Sequence, residues 1–445
     1  MRTPRVLSWK TTPAMEAGSM PRPSDIPFDP MPPMLPDVGV LALVPEPWGV
    51  VWQLRHQILR RLARYFHVVW ANPPLEWRAT LNGPAPRPAE HHAHPPGFHV
   101  HPAEVWLPKF YRPSWLASLT SRLRLEQARA VLTRAGCDAI LLSLWRPEFA
   151  DAVRHRPTFP SCYHIDDEYS FSDVEVPLSE QERTLITHVD QVFVSSPRLR
   201  LKKGGLNRHT AYVPNGVDYP AYATAHPEPD DLAAIPRPRI GYSGVLKSQL
   251  DWPLLFRLTE LRPDWSFVFV GPIQQDPKVL TAVQRLAARP NVHLLGCKPA
   301  YQLPPYPQHF DVCIMPYRVT DYTRYIYPLK LHEYLASGRP VVGVPIPSLE
   351  RFADVVTLAR DAEGWTVALD AALTAAANSP EREAARRAIA RAHDWEGLVR
   401  HMALVLAERL GPPYVRRLNA ALERGAGAES VGSVSRPGTV SGGAR

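Results

Sequence analysis

The chain lacks most features that would assign it to a specialised class. It carries four cysteines in 445 residues, Cys137, Cys162, Cys297 and Cys313. Their spacing fits neither a zinc-ligand set nor a disulfide framework, so they are expected to be reduced core residues. No run approaches the roughly 18 apolar residues of a membrane span. Residues 1–36 hold Pro and Arg without an apolar core, which argues against a secretory leader, and Met15 and Met20 are alternative expected starts. The net charge of +8 comes from dispersed Arg without a dense basic run, so nucleic acid is not the expected partner. That charge suits a phosphate-bearing ligand or an anionic membrane surface. A cytoplasmic location is expected, with peripheral contact at the inner membrane face as an option.

What is present is a globular composition, 45% hydrophobic, interrupted by 50 prolines. A chain of this length is expected to form two domains. From residue 37 onward, short apolar runs alternate with segments of helical period, the pattern of parallel sheets covered by helices. The expected fold class is α/β, with two doubly wound Rossmann-like domains facing across a cleft. The expected divisions are a disordered Pro-rich start (1–36), a first domain (37–218), a linker without period (219–238) and a second domain (239–393). A final helix (394–411) and a mostly disordered tail (412–445) follow. In such sheets ligands bind outside the carboxyl ends of the strands, so the site is expected between the domains.

The most informative stretch is Tyr325-Ile326-Tyr327-Pro328-Leu329-Lys330-Leu331-His332-Glu333-Tyr334-Leu335-Ala336-Ser337-Gly338-Arg339-Pro340-Val341-Val342. Pro328 fits a first helical position and Gly338 a C-terminal cap, which predicts a helix of about ten residues. Free amides at 327–329 and the positive end of the helix dipole suit a diphosphate, and Lys330 adds a charged donor. Glu333 lies on the same face, where a carboxylate accepts hydrogen bonds from ribose hydroxyls. The competing reading is a solvated Lys330–Glu333 ion pair worth about 0.3–0.5 kcal/mol.

This stretch resembles the nucleotide-binding motif of family 4 glycosyltransferases, two glutamates separated by seven residues and followed by a small-residue run ending in Gly-x-Pro-Val-Val. Glu333 matches the second glutamate, and Gly338, Pro340, Val341 and Val342 match the run. The first glutamate position is Tyr325, a departure from the family. The wording is similar to a subgroup with Pro-Leu-Lys-Leu-x-Glu-Tyr-Leu-Ala. Val213-Pro214-Asn215-Gly216-Val217-Asp218 and Ser195-Ser196-Pro197 resemble further family signatures, as do 291–296 and 309–317.

The resemblance implies a GT-B fold whose last helix crosses back onto the first domain. It implies hexosyl transfer from a nucleoside-diphosphate sugar to a saccharide or lipid-linked acceptor of the cell envelope, with retention and without cofactor. Donor contacts are then expected from Gly244, Lys247, Arg324, Tyr325, Tyr327, Leu329, Lys330 and Glu333, and acceptor contacts from Trp48, Gly49, Arg55, His56 and Arg146. For Gly244 and Lys247 the alternative is a plain glycine turn with a solvated Lys, and for Trp48 and Trp52 a place in the core. Asp166 and Asp167 end a predicted strand and are expected, with Lys330, to be catalytic. Helix capping is the alternative for one of the two. Their spacing does not fit a metal-binding Asp-x-Asp, so no metal is expected. The histidines His91, His92, His94, His99 and His101 read as a solvated loop and strand face. Two other functions stay open: a nucleotide-sugar epimerase of the same fold, and a non-catalytic nucleotide-sugar-binding protein.

Overall fold

The computed structural model describes residues 31–432 except 50–51, 76–93, 105, 111–112, 156–157 and 172–174. The first domain is a seven-stranded sheet of β1 (Leu35–Leu43), β2 (Phe66–Ala71), β3 (Phe98–His101), β4 (Ala139–Leu144), β5 (Ser161–Ile165), β6 (Gln191–Val194) and β7 (Thr210–Tyr212), in the order β3-β2-β1-β4-β5-β6-β7. The second is a six-stranded sheet of β8 (Arg239–Ser243), β9 (Ser266–Val270), β10 (Val292–Gly296), β11 (Val312–Met315), β12 (Val341–Gly343) and β13 (Val356–Leu358), in the order β10-β9-β8-β11-β12-β13. Both sheets are parallel throughout, for example β1 with β4 and β8 with β11. Helices on both faces bury the central strands, which is why these read as unbroken apolar runs and not as alternating ones. The order reverses between β1 and β4 and between β8 and β11. At each reversal neighbouring crossovers diverge and leave a crevice at the strand ends.

The helix Trp395–Leu410 leaves the second domain and packs on the first. Its Trp395, Val399, Met402 and Leu406 share one apolar cluster with Leu54, Ile58 and Leu62 of the helix Leu54–Leu62. Arg61 of that helix bonds Glu396 at 2.9 Å and Asp218 at 2.6 Å.

Three expected divisions are corrected. Residues 219–238 are no unstructured linker. They form the helices Tyr219–Ala223 and Asp230–Ala233, and Tyr222 and Leu232 join the second domain's core. The first helix is nucleated by the Asp218 side chain, which accepts from the Ala221 amide, and by Pro220 in its first turn. The segment from 412 is likewise ordered as the helix Pro412–Gly432, since Tyr414, Val415, Leu418 and Leu422 recur at helical spacing and pack on the first domain. Arg417 forks onto Asp37 at 2.5 and 2.8 Å. The disorder expected of 1–36 and 412–445 otherwise falls outside the described residues, except that 31–36 are described and β1 begins at Leu35.

Trp395 is almost wholly buried where the chain passes back between domains. Trp395→Ala is expected to cost about 3–5 kcal/mol through the cavity it leaves, read as a lowered denaturant midpoint with an unchanged slope. A midpoint within error of the parent would show that the crossing helix does not secure the first domain.

Candidate active site between the domains

A cavity of about 690 Å³ opens where the carboxyl ends of the two sheets face each other. The second domain supplies its cationic wall. The helix runs over Lys330–Ser337, and a tight turn at Pro328 leads into it: Leu329 already has helical dihedrals (φ −55°, ψ −43°), and the Leu331 amide donates to the Pro328 carbonyl at 3.3 Å. It stops at Gly338, whose φ of +81° suits only a residue without Cβ. Leu331, Tyr334 and Leu335 are buried against the sheet, and the Tyr334 hydroxyl accepts from the Ser243 amide at 2.7 Å. That bond fixes the helix start beside the end of β8, with Lys330 turned toward the cavity.

Lys330 Nζ donates to the Tyr317 hydroxyl at 2.9 Å and lies 5.0 Å over the Tyr242 ring. Gly244 makes room for it: with φ of +143°, a Cβ there would come within 2.9 Å of Lys330 Nζ. Lys247 lines the same cavity, and burial, together with repulsion from Lys330, lowers its pKa from the ordinary lysine value. Among the described residues neither ammonium has a carboxylate at ion-pair distance. The solvated Lys330–Glu333 pair is therefore not what forms. Glu333 also lines the cavity; burial raises its pKa, opposed by Lys330 and by a hydrogen bond from Tyr222.

The first domain supplies the opposite wall. Arg55 is only 3% exposed and is gripped by Asp166 at 2.8 Å and Glu46 at 2.7 Å. Asp166 also accepts from the Tyr169 hydroxyl, and the Arg146 guanidinium lies 4.5 Å over the Tyr169 ring. Asp167 accepts from the Tyr322 hydroxyl of the second domain at 2.8 and 2.9 Å. Burial, and next its neighbour Asp166, raise the pKa of Asp167. Tyr327 and Leu329 line the cavity as well, and Asn215 donates its side-chain amide to the Tyr327 carbonyl.

Five expected site residues stand elsewhere. Trp48 packs edge-on against Trp70, with ring centres 5.0 Å apart, in the core. His56 is buried beside it, its Nδ1 accepting from the Gln53 amide at 3.2 Å, which caps the helix Leu54–Leu62. Gly49 is half-buried in the loop before that helix and does not line the cavity, whereas Trp52 does. Arg324 is exposed and pairs with Asp321 at 3.2 Å. Tyr325 turns outward, donating to Glu175 at 2.9 Å with Lys202 5.0 Å over its ring. The reason for these last two is a tight turn through 320–325, closed by Tyr325 N to Tyr322 O, which sends successive side chains to different sides. That turn also brings in Tyr322, which sequence reasoning missed. Tyr317 was missed too, although its place just beyond β11 was the available signal. Of the histidines, His99 faces His67 at 3.4 Å, His101 bonds Glu104 at 2.7 Å and His94 meets Trp48 edge-on, while His91 and His92 lie outside the described residues. The solvated strand face is thus corrected to a half-buried one.

Comparison with known proteins extends this geometry. Residues 237–378 match the family model described as Glycosyl transferases group 1. A protein of Bacillus subtilis (strain 168), whose name assigns it provisionally to teichuronic acid biosynthesis as the glycosyltransferase TuaH, is 31% identical over 238 residues. That match spans 51% of this chain and 58% of the relative. Among solved structures, trehalose-6-phosphate synthase from E. coli bound with UDP-2-fluoro glucose is similar with a TM-score of 0.58 and 15% identity, over 82% of this chain and 98% of that one. The α,α-trehalose 6-phosphate synthase from Burkholderia multivorans gives 0.60 at 15% identity, over 86% and 99%. A glycosyltransferase from Rickettsia africae gives 0.59 at 12%, over 84% and 98%. The chain thus has the two-domain GT-B fold, and its second domain carries the match to Glycosyl transferases group 1.

Proposed function

We propose that the chain transfers a hexosyl group from a nucleoside-diphosphate sugar to a saccharide or lipid-linked acceptor. The observation that carries this reading is the pair of cations Lys330 and Lys247 in one interdomain cavity, beside a glycine turn and a helix start and, among the described residues, without a carboxylate at ion-pair distance. A half-buried positive pair of this kind is stabilised by a ligand of double negative charge. It would neutralise the charge that develops on a departing nucleoside diphosphate, where a low effective dielectric magnifies each interaction. The Leu329 amide adds a donor to the same oxygens. Glu333, on the next turn of the helix, holds the ribose hydroxyls. The likeness to group 1 transferases over the second domain supports the donor side of this assignment.

On the facing wall, Asp166 and Asp167 orient the acceptor hydroxyl. Asp166 is held rigid by Arg55, while Asp167 keeps a raised pKa and suits proton exchange. Its bond to Tyr322 joins the domains at that point, so a closed cleft excludes water and suppresses donor hydrolysis. Retention of anomeric configuration belongs to the same proposal. A cell-envelope saccharide is the proposed acceptor class, on the strength of the Bacillus relative.

Lys330→Ala is expected to weaken nucleoside-diphosphate binding by about 1.5–3 kcal/mol, the worth of a charged hydrogen bond, with the melting temperature unchanged. Titration calorimetry measures it, and equal affinity in parent and variant would defeat the assignment. Glu333→Ala is expected to lower donor affinity roughly tenfold yet leave competition by inorganic pyrophosphate untouched. Equal losses for both ligands would mean that Glu333 does not meet the ribose. Asp167→Asn is expected to reduce turnover at least about a hundredfold while donor affinity holds. The readout is nucleoside diphosphate released in the presence of acceptor, and parental turnover would remove Asp167 from the chemistry.

A further inference from the structure

We propose that the outer face of the helix Ser114–Arg134 docks on an anionic lipid surface. This helix carries two apolar stripes, and the fold uses one. Leu125, Ala128 and Leu132 are buried with Leu41 of β1 and Val69 of β2. Trp115, Leu119 and Leu123 follow one another at four-residue spacing on the other side of the helix and are 66%, 45% and 40% exposed. Trp106, 66% exposed, lies in the loop that precedes this helix. Arg124 ties that loop to the helix, its guanidinium donating to the Leu107 carbonyl at 3.0 Å and to that of Pro108.

The charge around the stripe chooses the occupant. Arg122 is exposed on the same face and has no ion-pair partner among the described residues. The nearby carboxylates are already engaged, Glu104 with His101 at 2.7 Å and Glu126 with Arg129 at 3.4 Å. Protruding tryptophan and leucine with unneutralised arginine is the chemistry of a bilayer interface, where indole settles among headgroups and guanidinium meets lipid phosphate. A second copy fits less well, since two-fold pairing of this stripe on itself would bring the Arg122 groups of both copies together. The helix also starts from the carboxyl edge of the first sheet, the edge that opens on the cavity. A surface docked there would present its headgroups to the acceptor side.

The test is co-sedimentation of the full chain, without donor, with vesicles of phosphatidylglycerol and phosphatidylcholine in equal parts and with vesicles of phosphatidylcholine alone. Binding read this way is independent of sugar transfer, so failure here and failure of the transferase reading are separate results. The parent is expected to bind the anionic vesicles, and Trp115→Ala/Leu119→Ser/Leu123→Ser to weaken binding by more than about tenfold. Arg122→Gln is expected to weaken it about fivefold, a loss that shrinks as salt rises. Val367→Ser, at an apolar side chain 69% exposed on the second domain, is expected to bind as the parent does. Thermal unfolding checks that each variant is folded, and Trp115→Ala alone serves if the triple variant is not. Parent protein that leaves anionic vesicles unbound, or a stripe variant that binds as well as the parent, would overturn the proposal. So would a parent dimer in light scattering that the stripe substitutions turn to monomer.

Discussion

Two ammonium groups share one partly enclosed cavity, and no carboxylate stands at ion-pair distance from either among the described residues. Such an arrangement is unfavourable in the empty protein, because burial and repulsion from Lys330 both oppose the charged form of Lys247. The depressed pKa of Lys247 is the direct expression of that cost. The surrounding structure maintains it. Tyr334 fixes the helix start beside β8, Tyr317 accepts from Lys330, and Gly244 leaves the space that the Lys330 side chain fills. The site is thus organised before any ligand arrives, and the energy that keeps it so comes from the apolar core behind it.

The facing wall solves a different problem. Carboxylates facing the two ammonium groups would repel an anionic ligand unless their charge were taken up elsewhere. Arg55, gripped by Glu46 and Asp166, does this for one of them, and the Tyr322 hydroxyl donates to Asp167. Because Tyr322 belongs to the second domain, the same bond that tempers Asp167 also spans the cleft. A second link runs outside it from Tyr325 to Glu175, with Lys202 nearby. Tyr325 therefore serves contact between domains in this structure. The crossing helix Trp395–Leu410 adds the third connection, anchored by Trp395 in the first domain's cluster.

Fold and site were legible to different degrees. The helix Trp252–Leu261 and the strands β4, β5 and β9 follow from local pattern, because each is a continuous apolar or periodic run bounded by turn residues. Capping at Gly338 was equally plain, since a left-handed stop has a residue signature. Trp48 and His56 were not legible. An aromatic residue or histidine near a helix start fits a cleft or a core equally well, and only the neighbouring Trp70 and Phe98, remote in sequence, decide for the core. Tyr322 escaped because nothing in its own surroundings announces a partner 155 residues away.

The sequence by itself determined two parallel α/β domains, the strand ends that face each other, and the segment bearing Lys330 and Glu333. All of these rest on periodicity and on residues whose backbone preferences act locally. Tertiary structure decided which side chains share the cavity, that Lys330 bonds Tyr317 instead of pairing with Glu333, that Arg324 and Tyr325 point away, and that residues from 412 form a packed helix. Those outcomes depend on contacts between residues far apart in the chain, where packing and charge compensation choose among local arrangements of similar energy.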